Sequence, residues 1–218
     1  MQQFVARPFG ILTALIGLLA APTSGLAHPH ILPIVRADII FEGARASAVK
    51  QTWTYDAAYS SFATRNIDAN KDGTISPEEL ASFAKGQLDA LAEHNYFTAA
   101  STPAGTVKFG SVHFDQIERI DDGRLRLTFT LPFKSKVAAE ALQLIVEIFD
   151  PNFFAYFTMA DGGVRLVGAH DDCAQTTVGP KTIDLSHTRS IPRVFWDALD
   201  GSKTAGQAFV NRITVTCR

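Results

Sequence analysis

The sequence predicts an α+β protein: a β-sandwich-like, mostly antiparallel domain carrying one inserted helix-loop-helix over residues 57–95. Two patterns carry this prediction. Short stretches of β-branched and aromatic residues, punctuated by Gly, Asp, Asn and Pro, occur on both sides of residues 57–95. Within those residues the apolar positions recur at helical spacing instead. Many short strands with one helical insertion fit two packed sheets around one core.

Taken in order, Ile34 to Phe41 and Ala46 to Tyr55 read as strands of a hairpin, joined at Glu42-Gly43-Ala44. Asp56 then caps a helix in which Tyr59, Phe62, Ala63 and Ile67 share a face. A second helix starts at Ser76, has Pro77 in its first position, presents Leu80, Phe83, Ala84, Leu88 and Leu91 on one side, and ends near Asn95. Beyond it the period is two. Val107 to Phe114 and Arg124 to Leu131 are expected strands, with Asp121-Asp122-Gly123 as the hairpin turn. Leu142 to Phe149, Phe153 to Met159 and Val164 to Ala169 follow, separated by Asp150-Pro151-Asn152 and Asp161-Gly162-Gly163. A short helix is expected after Pro192, and Phe209 to Cys217 closes the chain as a strand.

Residues 1–27 read as a cleaved signal peptide: Arg7, an apolar run from Ile11 to Ala21, and a short stretch ending in Gly25-Leu26-Ala27. An apolar run of about a dozen residues is well short of the roughly 20 that span a bilayer. Cleavage before His28 would leave residues 28–218 as one β-rich periplasmic domain with no membrane-spanning segment. Loss of Arg7 takes the formal charge from −2 to about −3, which gives no footing for nucleic-acid binding. In an oxidising compartment Cys173 and Cys217 are expected to form a disulfide, worth roughly 3–4 kcal/mol on the loop-entropy account. The alternative is two separate buried thiols. Without a CxxC motif a redox enzyme is not indicated.

The segment Asp68-Ala69-Asn70-Lys71-Asp72-Gly73-Thr74-Ile75-Ser76-Pro77-Glu78-Glu79 satisfies the EF-hand pattern D-x-[DN]-x-[DN]-G-x5-E at every specified position. Calcium is a hard cation that takes six to eight oxygens. Asp68, Asn70 and Asp72 would supply side-chain oxygens, Thr74 its carbonyl, Ser76 an oxygen directly or through water, and Glu79 both carboxylate oxygens. Gly73 permits the sharp turn, and Ile75 is expected to point inward. Ser76 to Glu79 is also a capping box, so the last ligand and the helix start are coupled. With no second EF-hand to pair with, a structural staple is expected rather than a switch.

His28-Pro29-His30 would open the mature chain. The α-amino group and Nδ1 of His28 can chelate one metal, and His30 or a residue brought near by folding can add a nitrogen. Pro29 has no N–H, so the square-planar copper motif built from deprotonated amides cannot form. The alternative is an unrestrained terminus. His94 is placed at a helix end, where it complements the dipole. His113 lies in a strand, and His170 and His187 lie near loops. His170-Asp171-Asp172-Cys173 invites a metal reading only if Cys173 is a free thiolate. GxSxG, HExxH, Walker and dinucleotide motifs are absent from the sequence, and no catalytic residue is singled out. Asp56, Glu118 and Asp150 read as caps, turns or strand-surface groups.

Several segments in order carry a family resemblance: Ala27-His28-Pro29-His30, Thr52-Trp53-Thr54-Tyr55-Asp56, the Asp68–Glu79 loop with Leu80, Tyr96-Phe97-Thr98, Phe149-Asp150-Pro151 and Thr214-Val215-Thr216-Cys217. Together they resemble a bacterial family of periplasmic proteins of unknown function, labelled a periplasmic component of an uncharacterised ABC-type transport system. Members are often encoded beside nickel/cobalt-type permeases, and one branch has been linked to zinc uptake. The resemblance implies a periplasmic accessory that binds zinc, nickel, cobalt or copper for a membrane metal permease, with His28 and His30 matching the family's His-Pro-His start. The chain lacks a long histidine-rich or acidic loop, which argues against high capacity. Two other readings stand beside it: a copper-dependent oxidative enzyme using an N-terminal histidine, and a calcium-stabilised interaction module without a transition metal.

Overall fold

A computed structural model describes residues 31–138, 143–152, 154–180 and 209–217. The expected signal peptide, the His28-Pro29-His30 start, His187 and the expected helix after Pro192 lie outside the described residues. The elements run β1 (Ile34–Glu42), β2 (Arg45–Thr54), α1 (Ala57–Ile67), α2 (Pro77–Ala92), a 3-10 turn (Asn95–Phe97), β3 (Thr98–Thr102), β4 (Gly105–Val107), β5 (His113–Arg119), β6 (Leu125–Ala138), β7 (Gln143–Ile148), β8 (Thr158–Val167), β9 (Ala174–Val178) and β10 (Asn211–Thr216).

Among the described residues these strands form two five-stranded sheets, ordered β5-β6-β2-β1-β8 and β4-β3-β7-β10-β9. Every pairing between strands is antiparallel except β1 with β8. The alternation in β6 decides its orientation: Leu125, Leu127, Phe129 and Leu131 are buried, while the residues between them are half-buried. The same period buries Val49 and Trp53 on β2, Leu144, Val146 and Ile148 on β7, and Ile213 and Val215 on β10. These residues form one core with Ala63 and Ile67 of α1 and Ala84, Leu88 and Leu91 of α2. Each large side chain buried there contributes roughly 1.5–3 kcal/mol.

One polar chain runs through this core. The indole Nε1 of Trp53 donates to Gln51 Oε1 at 2.9 Å, and Gln51 Nε2 donates to Thr98 Oγ1 at 2.8 Å. Thr98 Oγ1 in turn donates to the carbonyl of Tyr96 at 2.7 Å. Gln51 is fully buried, so losing any partner would leave a desolvated polar atom costing about 1–3 kcal/mol. The chain thereby ties the first sheet to the start of β3 on the second.

The two helices predicted within residues 57–95, the first hairpin and the final strand are present. Asp56 caps α1, its Oδ1 accepting from Tyr59 N at 2.9 Å while Oδ2 accepts from Leu32 N at 2.9 Å. Asp150 accepts from the backbone N–H groups of Asn152, Phe154 and Ala155, and Glu118 pairs with Arg126 on the strand surface. Several boundaries differ. Residues 107–114, expected as one strand, are not one: Val107 ends β4, His113 and Phe114 begin β5 in the other sheet, and residues 108–112 lie between the two strands. Phe62, expected on the apolar face of α1, is exposed, and the polar Ser60 is buried because its Oγ accepts from Leu125 N at 3.0 Å. Asp161-Gly162-Gly163, expected as a turn between two strands, lies within β8 as an excursion: the pairing to β1 passes from Val35↔Met159 directly to Ala37↔Val164.

Candidate functional site

Helix α2 has a different chemical environment at each end. At its start, the Asp68–Glu79 loop folds its acidic side chains onto its own backbone donors. Asp68 Oδ1 accepts from Asp72 N at 3.2 Å and Oδ2 from Gly73 N at 3.0 Å. Asn70 Oδ1 accepts from Asp72 N at 2.9 Å. Asp72 Oδ1 accepts from Thr74 N at 2.8 Å and from its hydroxyl at 2.7 Å. Lys71 and Gly73 take positive φ values of 60° and 84°, and these turn the chain.

Glu79 joins the two ends of the loop. Its Oε1 accepts from Ala69 N at 2.9 Å and Asn70 N at 3.4 Å, and its Oε2 from Ser76 N and Ser76 Oγ, both at 3.0 Å. Ser76 Oγ accepts from Glu79 N at 3.2 Å, completing the capping box expected from the sequence. Ile75 is half-buried and packs against the core, also as expected. Hydrogen bonds from the Thr74 side chain and backbone, then from Asn70, hold the Asp72 carboxyl below its ordinary range. The Ser76 backbone N–H is the largest influence holding Glu79 below its own. Among the described residues no three His, Cys, Asp or Glu side chains are gathered as a metal cluster. A cation in this loop would therefore draw on the amide oxygen of Asn70, the carbonyl of Thr74 and the hydroxyl of Ser76 alongside the carboxylates. That all-oxygen donor set fits calcium.

At the other end of α2 the chain enters a strained turn. Asn95, Tyr96 and Phe97 have φ values of 50°, 54° and 49°, a left-handed conformation that costs non-glycine residues roughly 1–2 kcal/mol each. Core contacts hold it in place. Phe97 stacks on Trp53 with ring centroids 6.5 Å apart, packs on Phe157 at 5.5 Å, and its carbonyl accepts from Phe149 N at 3.0 Å. Phe97 of this turn lines an apolar cavity of about 240 Å³. Trp53, Tyr55, Phe157 and Ile31 are among its other lining residues, and Gln87, Glu93 and His94 lie along it as polar groups. Burial drives the Tyr55 phenol far above its ordinary value, and pushes Tyr59, beside Asp56, up to about 12. Sequence reasoning missed this cavity. The only signal for it was the density of aromatic residues in Trp53-Thr54-Tyr55 and Tyr96-Phe97.

His94, His113 and His170 are each exposed and sit on different elements. His94 lies just beyond α2, with its ring parallel to Phe97 at 5.4 Å between centroids. His170 accepts from Cys173 N through its carbonyl in a turn. Cys173 is bonded to Cys217, as the sequence led us to expect, with Cα atoms 4.0 Å apart, so its sulfur is not a thiolate ligand. The disulfide ties the start of β9 to the end of β10. His28 and His30 lie outside the described residues.

Fold and site together define a two-sheet α+β protein with an acidic helix-joining loop and a disulfide that fits an oxidising compartment. Among the described residues no helix is long and apolar enough to cross a membrane. The chain belongs to the family described as Protein of unknown function (DUF1007), whose profile matches residues 13–217. No curated protein and no solved structure matches it.

Proposed function

We propose that this is a calcium-binding periplasmic protein that serves as an accessory to a transition-metal transport system. Removal of residues 1–27 as a signal peptide delivers it to the periplasm, where the Cys173–Cys217 bond is stable. The Asp68–Glu79 segment is an EF-hand loop in which Asp68, Asn70, Asp72, Thr74, Ser76 and Glu79 hold calcium and so fix α1 and α2 relative to each other. The observation that carries this reading is the double hold of Glu79, whose two oxygens engage the beginning and the end of the loop. The transport role is supported by the resemblance to periplasmic transport components and by the His28-Pro29-His30 start. Zinc, nickel, cobalt or copper is the cargo class, and a membrane metal permease is the partner.

Calorimetric titration with calcium tests the loop. Single extracellular-type sites bind at roughly 10⁻⁴ to 10⁻³ M. Saturation at about one hundred times the dissociation constant stabilises the fold by about 2.7 kcal/mol. Glu79→Gln should weaken binding and abolish most of that stabilisation. Absence of binding heat and of any melting shift at millimolar calcium would end the calcium reading.

A further inference from the structure

The apolar cavity at the end of α2 holds polar donors that the core leaves unused. Most polar atoms around it are satisfied: Trp53 Nε1 donates to Gln51 Oε1, the Ile31 carbonyl accepts from Tyr156 N, and the Phe157 carbonyl accepts from Asn211 Nδ2 at 2.9 Å. Tyr55 differs. Its backbone N donates to the Leu125 carbonyl at 2.9 Å, but among the described residues its hydroxyl makes no hydrogen bond. Buried polar groups are ordinarily hydrogen-bonded, so an unpartnered one calls for a ligand or an opening. The oxygen is not sealed off, because among the described residues the sealed side-chain oxygen without a partner is that of Asn211 alone. Tyr55 is only 3% exposed and lines the cavity, so the surface its hydroxyl retains opens into that space.

Gln87 adds a second donor. Its Oε1 is taken by the Tyr59 hydroxyl at 2.9 Å, and among the described residues its Nε2 has no acceptor. Burial keeps the Tyr55 phenol protonated across the neutral range, so both groups offer hydrogens to whatever enters. Size narrows the occupant. The cavity, at about 240 Å³, is larger than the roughly 150 Å³ that holds benzene and smaller than the roughly 300–1,000 Å³ of sites for drug-sized ligands. Charge narrows it further. Neither Lys nor Arg lines the cavity and Glu93 does, which disfavours an anion. Trp53, Phe97 and Phe157 pack on one another with ring centroids 5.0 to 6.5 Å apart, leaving no gap between their faces in which a cation would be enclosed.

We propose that this cavity is a binding site for a neutral, single-ring aromatic molecule carrying a hydrogen-bond acceptor such as a ketone or ester carbonyl. The ring occupies the apolar space beside Trp53 and Phe157, and the carbonyl oxygen accepts from the Tyr55 hydroxyl and Gln87 Nε2. An apolar pocket with a few convergent polar groups is the usual form of a small-molecule site: the walls supply affinity and the donors fix orientation. The site is independent of the calcium loop and of the transition-metal role, so neither stands or falls with it.

The test titrates the exported, disulfide-bonded protein with acetophenone and follows its amides by NMR. One equivalent should bind saturably, shifting Leu91, Phe97 and Ala155 while Gly73 and Ser76 stay in place. Tyr55→Phe removes only the unpartnered oxygen, so the variant should melt no lower than the wild type. Its affinity for acetophenone should nevertheless fall roughly two- to tenfold, the worth of one hydrogen bond. Toluene, which has the ring without the acceptor, should bind wild type and Tyr55→Phe equally. Ala90→Trp places bulk in the cavity from an exposed helix position and should weaken both ligands. Benzoate, an anion of similar shape, should bind more weakly than acetophenone. Absence of saturable shifts at the cavity amides up to the solubility of acetophenone would overturn the site. Equal acetophenone affinity in wild type and Tyr55→Phe, or tighter binding of benzoate, would overturn the assigned ligand class.

Discussion

The two ends of α2 are built on opposite principles. The loop before it lies wholly within residues 68–79, is solvent-exposed over most of its length, and is organised by hydrogen bonds from its own backbone. The cavity after it draws on β2, the 3-10 turn and the segments around Ile31 and Ala155, with Trp53 and Phe157 almost fully buried. One is a local device closed by its own short-range hydrogen bonds. The other is a tertiary device that collapses if its core contacts fail. The difference shows that a single helix can join a loop specified by spacing to a cavity specified by packing.

The comparison can be broken most forcefully at Trp53. Trp53→Ala removes a buried indole that contacts Tyr55, Phe97, Phe129 and Phe157 and also deprives Gln51 of its donor. A loss of roughly 3–5 kcal/mol is expected in urea unfolding. If the loop is as independent as its geometry indicates, calcium should still raise the variant's melting temperature. A variant that folds but no longer responds to calcium would show that the two ends are not separable.

A smaller effect is expected at Asp56, which caps α1 and also holds Leu32. Asp56→Ala should cost about 1 kcal/mol as a lost cap. It should also speed hydrogen exchange at Leu32 more than at Ala69, because only the former amide loses its acceptor. Equal acceleration at both would sink the distinction between the two ends.

The mildest expected effect near neutrality is on pH dependence, and its sign differs between the ends. Asp72 and Glu79 hold depressed carboxyl pKa values, so their contribution is complete above the ordinary carboxylate range and is lost as the pH falls through their folded values. Tyr59 holds a raised value, about 12 against an ordinary 10.0, so its contribution is complete below pH 10 and is lost as the pH rises toward 12. Tyr55 is displaced the same way. Acid should therefore loosen the loop first and alkali the aromatic end, as read by residue-resolved hydrogen exchange and by phenolate absorbance. Tyrosines that all ionise near pH 10 in the folded protein would contradict this.

Much of the molecule was legible because its determinants are short-range. The cap at Asp56, the capping box at Ser76 and Glu79, the β6 alternation and the turn at Gly123 each depend on residues a few positions apart. The strands that escaped notice lacked such a signal. β3 is Thr-Ala-Ala-Ser-Thr, with little apolar bulk to alternate, and β9 is an edge strand exposed along its whole length. The division of residues 107–114 between two sheets follows from distant partners: β4 pairs with β3, and β5 with β6.

By itself the sequence determined the α+β class, the acidic loop with its donor residues, the helix caps and the cysteine pair, because spacing and side-chain chemistry suffice for each. Tertiary structure alone decided that Ser60 is buried, that Gln51 bridges Trp53 to Thr98, and that Ile31 meets Glu93 and His94 at one cavity. Those outcomes depend on which distant surfaces become neighbours when the two sheets close on a common core. No local pattern in the chain encodes that adjacency.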